Sequence, residues 1–550
     1  MRATIEAPEA VGAVPERWPR PVPPQRPERP VALDRFLLGA VALFALLRLP
    51  SFLEPHWYTD EAGYVTTAQA ALRGGLLYAQ VWTNKPPLQI WTVAAVVRTL
   101  GTSEAALHVL PWISGLLTLL AVDHAARRLL GPRRRVGALV LAAILLGTPL
   151  FDAELILPES LLIAPITWAG ALVVTRIAAP DLRPWPRWPL AAGLLAGLAV
   201  AYQQTALAET CAFGLLLALS PSGSRPRRVA IYAAGFAVPS LLWLVPSITL
   251  AGPGTVARAL VGFWVPFTQS RYPVNGGGVA IALLLPAAVL TLLVVAAWLL
   301  RRDPSPAWRP WVWAGAALLV PTVARQPYPH YLLPSVAPTA LALAGLRFPA
   351  RRAAPARPRR TLSPSHRLAL GSLAAGFALA VWGGSVAGAD WVVPFDAGSA
   401  GLAAYYGGAM ATLAGGESLA AYQDGFDRRV PEDAAVAAWI SAHGLDGAPA
   451  VVWSSDAWVY ADAHLRLLLP TPPIYNDVVL VGGSGALARR VRQLRPELVV
   501  TLSSSMTHYP GLQPVLSAGY TEVDRSGGEA VWLRDGMVGA VRGTSSRAGG

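Results

Sequence analysis

Long apolar runs recur along this chain, and clusters of arginine fall between them. The runs cover about 34–53, 104–126, 136–151, 158–178, 188–202, 205–219, 229–250, 279–300, 310–324, 329–346 and 366–388. Crossing a bilayer takes roughly 20 apolar residues as a helix, because lipid leaves each backbone polar group to be satisfied within its own segment. Several runs are shorter than that, and the pair flanking 202–204 is the least defined. Composition agrees: hydrophobic residues make up 54 % and charged residues 14 %, against roughly 25 % charge in soluble chains. Mean hydropathy is +0.43. Lipid is the solvent for most of this chain.

Arginine placement sets the orientation. Arg127 to Arg135, Arg176 to Arg187, Arg225 to Arg228, Arg301 to Arg309 and Arg347 to Arg360 bound five basic clusters. With about 11 transmembrane helices and a cytoplasmic N-terminus, all five fall in cytoplasmic loops, as the positive-inside rule requires. Residues 1–33, rich in Pro, Arg and Glu, read as a disordered cytoplasmic tail. They hold no short apolar core followed by a cleavage site, which argues against a removable signal peptide. The expected organisation is a membrane domain over 34–388 with a first outer loop at 54–103. An extracytoplasmic α/β domain follows over 389–535, and 536–550 form a flexible tail. Short β-rich runs (Ala450–Trp453, Leu498–Leu502, Ala530–Leu533) and a helical stretch at Ala486–Leu494 suggest that outer domain. The stretch 86–100 is amphipathic enough to lie along the membrane surface.

The formal charge of +13 does not indicate nucleic acid, because the arginines that produce it sit in membrane loops. Cys211 is the single cysteine, so intrachain disulfides and cysteine-based metal sites are excluded.

Polar residues on the outer side are the candidates for chemistry. The first outer loop contains His56-Trp-Tyr58-Thr-Asp60-Glu61 and then Asn84-Lys85-Pro-Pro-Leu88. Adjacent carboxylates on a helix point in different directions, so one can enter a cavity while the other braces. An acid pair also suits a helix N-terminus for its dipole alone. Lys85 changes that balance: it is the only lysine among 45 basic residues. A compact ammonium suits a single phosphate or carboxylate oxygen. A second polar group, Asp152-Ala-Glu154-Leu-Ile-Leu-Pro158-Glu159, opens a following span, with Pro158 fitted to its first turn. Tyr202-Gln203-Gln204 forms a hairpin turn, Arg271-Tyr272 a long outer loop, and Arg325 through Tyr328, His330 and Tyr331 the start of another span. Tyr328 and Tyr331 also suit an interfacial aromatic belt. Carboxylates, a lysine, arginines and a histidine at one leaflet surface suit transfer chemistry on a lipid-linked phosphate.

These residues carry a resemblance. The order Tyr58-Thr-Asp60-Glu61, Lys85-Pro-Pro-Leu88, Glu154-Leu-Ile-Leu-Pro-Glu159 and Tyr328-Pro-His330-Tyr331 resembles the GT-C membrane glycosyltransferases. Within them it is most similar to the bacterial protein O-mannosyltransferase and aminoarabinose transferase branch, which is glycosyltransferase family 39-like. The resemblance covers about 34–388. It implies a polyprenyl-phosphate-linked sugar donor, a glycan, lipid or protein acceptor, and inverting transfer of a hexose or pentose at the outer face of a bacterial cytoplasmic membrane. Asp60 matches the catalytic base with Glu61 as its motif neighbour, and Lys85 matches a contact to the lipid phosphate. Glu159 matches the second acidic position, with Glu154 competing. Many relatives carry a lysine in the turn where this chain has Gln203, so Arg271 or Arg325 would help Lys85 and His330 hold the phosphate. Tyr58, Gln203, Tyr328 and Tyr331 would line the substrate cavity. No metal ligand is assigned and no cofactor is required, although the Asp-Glu pair could hold a divalent cation. A transporter or flippase for a lipid-linked sugar is the competing class; it fits less well because the spans hold few charges away from their ends and no internal repeat is visible.

Overall fold

The computed structural model describes residues 34–177, 187–220, 224–264, 309–324, 328–345, 401–427, 429–472 and 482–539. Prolines set many helix starts. Helix α1 spans Arg35–Arg48, continued by a 3-10 turn at Leu49–Leu53. Helices α2 (Thr59–Leu72) and α3 (Pro87–Thr99) follow in the first loop. Then come α4 (Glu104–Leu129), α5 (Pro132–Gly147), α6 (Pro158–Arg176), α7 (Arg187–Tyr202), α8 (Leu207–Ala218) and α9 (Arg225–Ala251). Pro87, Pro132 and Pro158 each stand at the first helical position, where the missing N–H costs nothing and the fixed φ is already helical. Two positional facts follow. Lys85 ends the loop two residues before α3, and Glu159 is the second residue of α6.

Four described helical stretches are long and apolar enough to cross a membrane: Arg35–Leu53, Glu104–Leu129, Pro158–Arg176 and Arg225–Ala251. Shorter apolar helices lie at Arg187–Tyr202 and Gln204–Ala218. Helix Arg309–Ala324 and the pair Pro329–Ser335 and Val336–Ala344 occupy two further predicted spans. The expected runs 279–300 and 366–388 lie outside the described residues. The run expected at 136–151 begins earlier, at Pro132, and breaks at Thr148 into a 3-10 turn over Pro149–Phe151.

Helices α7 and α9 approach closely through glycine. A Cβ on Gly193 would lie 2.1 Å from the Tyr232 carbonyl oxygen, and one on Gly197 2.5 Å from that of Phe236. Small residues four apart permit such backbone contact between membrane helices.

The C-terminal part is a mixed α/β unit. Its sheet has the order β2-β1-β3-β5-β4, from β1 (Pro449–Trp453), β2 (Arg466–Leu467), β3 (Leu498–Leu502), β4 (Tyr520–Ser526) and β5 (Glu529–Arg534). β1 pairs in parallel with β2 and β3, and β5 runs antiparallel to both β3 and β4. This unit sits directly on the first loop. Trp82 N–H donates to the Pro470 carbonyl at 2.6 Å, and the Arg73 guanidinium donates to the carbonyls of Leu465 and His464 at 2.8 and 3.0 Å. His56 stacks on Trp458 with ring centroids 3.9 Å apart.

Candidate active site

The two adjacent acids at the start of α2 diverge. Asp60 remains accessible to solvent, yet the protein around it raises its carboxyl pKa through desolvation, which the charges of His330 and Lys85 partly offset. Its carboxyl is thus exposed and yet closely surrounded by protein. Glu159 and Asp152 also lie within electrostatic reach of it. Glu61 is fully buried and points the other way: its Oε1 accepts the Ile156 N–H at 2.5 Å and lies 3.6 Å from Nε2 of His108.

Lys85 is 6 % exposed. Its backbone is held on both sides, since its N–H donates to Thr83 Oγ1 at 3.2 Å and its carbonyl accepts from the Tyr78 hydroxyl at 2.6 Å. Among the described residues its ammonium has no ion pair, so a fixed loop presents a positive charge without a protein partner.

A triad joins three segments distant in sequence. Nδ1 of His330 lies 2.9 Å from Asp152 Oδ2 and 3.3 Å from the Tyr58 hydroxyl, which itself donates to Asp152 Oδ2 at 3.4 Å. Asp152 follows the 3-10 turn in a left-handed conformation, φ 50 and ψ 31, which aspartate tolerates better than most residues. Its desolvated carboxyl is pushed upward in pKa, and the hydrogen bond from His330 works against that shift. Tyr328 stacks on the His330 ring at 5.5 Å, and Tyr331 meets it edge-on at 4.7 Å. Glu159, Thr205, Glu209 and Tyr331 line a small cavity.

The structure thus gathers Tyr58, Asp60, Lys85, Glu159, His330, Tyr328 and Tyr331 around one region. Glu154 stands apart: its Oε2 lies 3.5 Å from the buried Arg48 guanidinium, which also donates to the Ala153 carbonyl. Burial and the nearby Glu54 carboxylate raise its pKa, while Arg48 lowers it. Gln203 is fully buried, and neither amide atom has a hydrogen-bond partner among the described residues. Its neighbour Gln204 donates to the carbonyls of Asn84 and Leu260 at 3.0 and 3.1 Å, which ties the turn to the Lys85 loop. Arg271 and Arg325 lie outside the described residues. Sequence reasoning assigned no role to Asp152, Glu104, His108 or Glu209. Asp152 had a visible signal, since it opens the same polar stretch as Glu154 and Glu159.

Residues 84–249 match the family model described as dolichyl-phosphate-mannose-protein mannosyltransferase. That segment includes Lys85, Asp152, Glu159 and Gln203. The whole fold matches ArnT from Cupriavidus metallidurans bound to undecaprenyl phosphate, with a TM-score of 0.57 and 18 % identity over 90 % of this chain and 97 % of that one. The chain has the fold of ArnT. The apo form of the same ArnT gives a TM-score of 0.56 and 17 % identity, covering 90 % of this chain and 96 % of that one. No curated protein matches this chain. That fold agrees with the described helices, four of which are long and apolar enough to cross a membrane. It also makes the C-terminal sheet unit part of the matched architecture, since the match extends over nearly the full length of both chains.

Proposed function

We propose that this chain transfers a hexosyl or pentosyl group from a polyprenyl-phosphate-linked donor to an acceptor hydroxyl at the outer face of a bacterial cytoplasmic membrane. The observation that carries the proposal is that the accessible Asp60 carboxyl lies within electrostatic reach of the Lys85 ammonium, which has no ion pair among the described residues. The mannosyltransferase family match and the ArnT-like fold support the donor class. In the proposed step Asp60 accepts the proton of the acceptor hydroxyl, whose oxygen attacks the anomeric carbon from the face opposite the phosphate. The bond from that carbon to the phosphate oxygen breaks, its electron pair leaves with polyprenyl phosphate, and the configuration inverts. Lys85 balances the charge that develops on the leaving phosphate. A raised pKa makes Asp60 a stronger base than an ordinary carboxylate. The hydrogen-bonded Asp152–His330 pair stands within electrostatic reach of Asp60, and Glu159 lines the small cavity. Arg271 and Arg325 complete the phosphate site in this proposal.

The topology belongs to the same proposal: about 11 spans, residues 1–33 in the cytoplasm, 389–535 outside, and 536–550 as a tail. The acceptor is a glycan, a lipid or a protein.

Asp60→Asn keeps the shape of the side chain and removes its basicity. Transfer from polyprenyl-phosphate sugar in membranes should fall by roughly 10²–10⁴-fold, the usual contribution of a general base. Undiminished transfer in that variant would sink the assignment. Lys85→Arg keeps the charge but replaces a compact ammonium with a planar fork, and transfer should weaken. Sugar-lipid flux across proteoliposomes with no glycosyl product would instead mark a transporter.

A further inference from the structure

Behind Asp60, on the far side of α2, lies a second cluster with no part in the proposed transfer. Glu61 on α2 and Glu104 and His108 on α4 are 0, 4 and 1 % exposed. One ligand-capable atom from each lies within 4.8 Å of the others. Nε2 of His108 is 3.1 Å from Glu104 Oε2 and 3.6 Å from Glu61 Oε1. Nδ1 of the same ring lies 2.7 Å from the Ser51 carbonyl. A carbonyl only accepts, so Nδ1 carries hydrogen, and in the neutral ring the Nε2 lone pair faces two carboxylates. Such a convergence in a buried space needs a positive charge at its centre, either a proton on Nε2 or a metal ion. Apart from the contacts of His108 with the two carboxylates, Glu61 Oε2, both Glu104 oxygens and His108 Nε2 have no partner among the described residues. A third carboxylate, Glu54, lies within electrostatic reach of His108 and Glu61, but its oxygens already accept from Trp57 Nε1 at 3.0 Å and the Tyr405 hydroxyl at 2.6 Å.

We propose that Glu61, Glu104 and His108 hold a small divalent transition cation, Zn²⁺ or Mn²⁺, that fixes the N-terminal turn of α2 against α4. Two carboxylates and a neutral imidazole carry the two negative charges that such an ion balances. Ligand distances of about 2.0–2.1 Å at tetrahedral angles place ligand atoms about 3.4 Å apart. The two separations from His108, 3.1 and 3.6 Å, lie on either side of that value, and the two carboxylates come within 4.8 Å of each other. The second shell is present as well: the Ser51 carbonyl orients the imidazole, and the Ile156 N–H orients Glu61. Because Glu61 adjoins Asp60, the ion positions the base without touching substrate. The inference rests on this cluster alone and not on the donor chemistry.

The test uses the full-length chain in detergent, stripped with a chelator and titrated with ZnCl₂ or MnCl₂ while heat of binding and Tm are followed. One ion per chain should bind saturably with a rise in Tm. X-ray absorption should show a shell of nitrogen and oxygen only, at about 2.0–2.1 Å. Glu104→Gln and His108→Gln should each abolish the saturable binding and the metal-dependent rise in Tm. Failure of the stripped wild-type chain to bind either ion, or an unmoved Tm, would overturn the proposal and leave a protonated His108 bridging two carboxylates. Retention of full binding in both variants would overturn it too. Titration of the wild-type chain decides the matter even where a variant fails to fold, and transfer activity enters neither readout.

Discussion

At the scale of single residues, His56 shows how one charge ties the C-terminal unit to the first loop. Its Nδ1 lies 2.7 Å from Asp462 Oδ1, and its Nε2 lies 2.7 Å from the Thr102 carbonyl. Both nitrogens face acceptors, so the ring is suited to its doubly protonated form. Burial alone would lower its pKa; the hydrogen bond and charge of Asp462 outweigh that and raise it from 6.5 to about 9. A folded-state pKa above the unfolded one stabilises fully below about 6.5, and the contribution fades as pH rises through about 9. Allowing for the fifth of the ring left in water, the effect is on the order of 2 kcal/mol. The Tm of the full chain should therefore fall between pH 7 and 9.5, and His56→Gln should flatten that fall; parallel profiles would refute the linkage. Residue types made other parts of the site legible before any fold was known. A lone lysine among arginines and an acid pair after an apolar run are visible in a string of letters. The partner of His330 is not, because Asp152 lies 178 residues away and reaches it through a left-handed backbone. Glu104 and His108 form an ordinary i, i+4 pair whose meaning depends on Glu61 arriving from another helix.

At the scale of elements, Pro158 marked one helix start in the sequence, while the start at Pro132 was missed because arginines rather than apolar residues fill that first turn. Strands β1, β3 and β5 were legible as apolar runs buried within the sheet. Strand β4 was not, because Tyr520–Ser526 is a polar edge strand with no apolar alternation, and charged edges resist further pairing. Contact between α7 and α9 was legible only as a spacing of small residues. On α9, Gly235 returns the contact: a Cβ there would lie 2.5 Å from the Leu190 carbonyl oxygen. Since backbone cannot yield as a side-chain tip can, Gly193→Ala should cost about 1–3 kcal/mol, seen as a lower Tm in detergent. Gly137→Ala on α5 is the control, because a Cβ there meets nothing within 4 Å and alanine is the better helix former. Equal melting of the two variants would show that α7 and α9 do not need this close approach.

At the scale of the whole molecule, packing constrains topology in a way that charge counting does not. The positive-inside rule orients the spans, but it says nothing of where a domain after the last span rests. Here the C-terminal unit is fastened to the first loop through His56, Arg73 and Trp82. Arg429 adds a hydrogen bond to Thr59 at 3.4 Å, next to Asp60 itself. Two segments in direct contact must lie on one side of the bilayer, so the fold couples two topological assignments into one. Labelling with a membrane-impermeant maleimide tests both at once, in a Cys211→Ser background that removes the single native cysteine. Ala79→Cys in the first loop and Ser517→Cys in the C-terminal unit are exposed positions, as is Arg133→Cys in the first turn of α5. In intact cells stripped of outer barriers, the first two should label together and the third only after permeabilisation. Labelling of Arg133→Cys alone would invert the orientation and put Asp60 on the cytoplasmic face. Labelling of Ala79→Cys without Ser517→Cys would contradict the contact between loop and domain, and with it the coupling through His56.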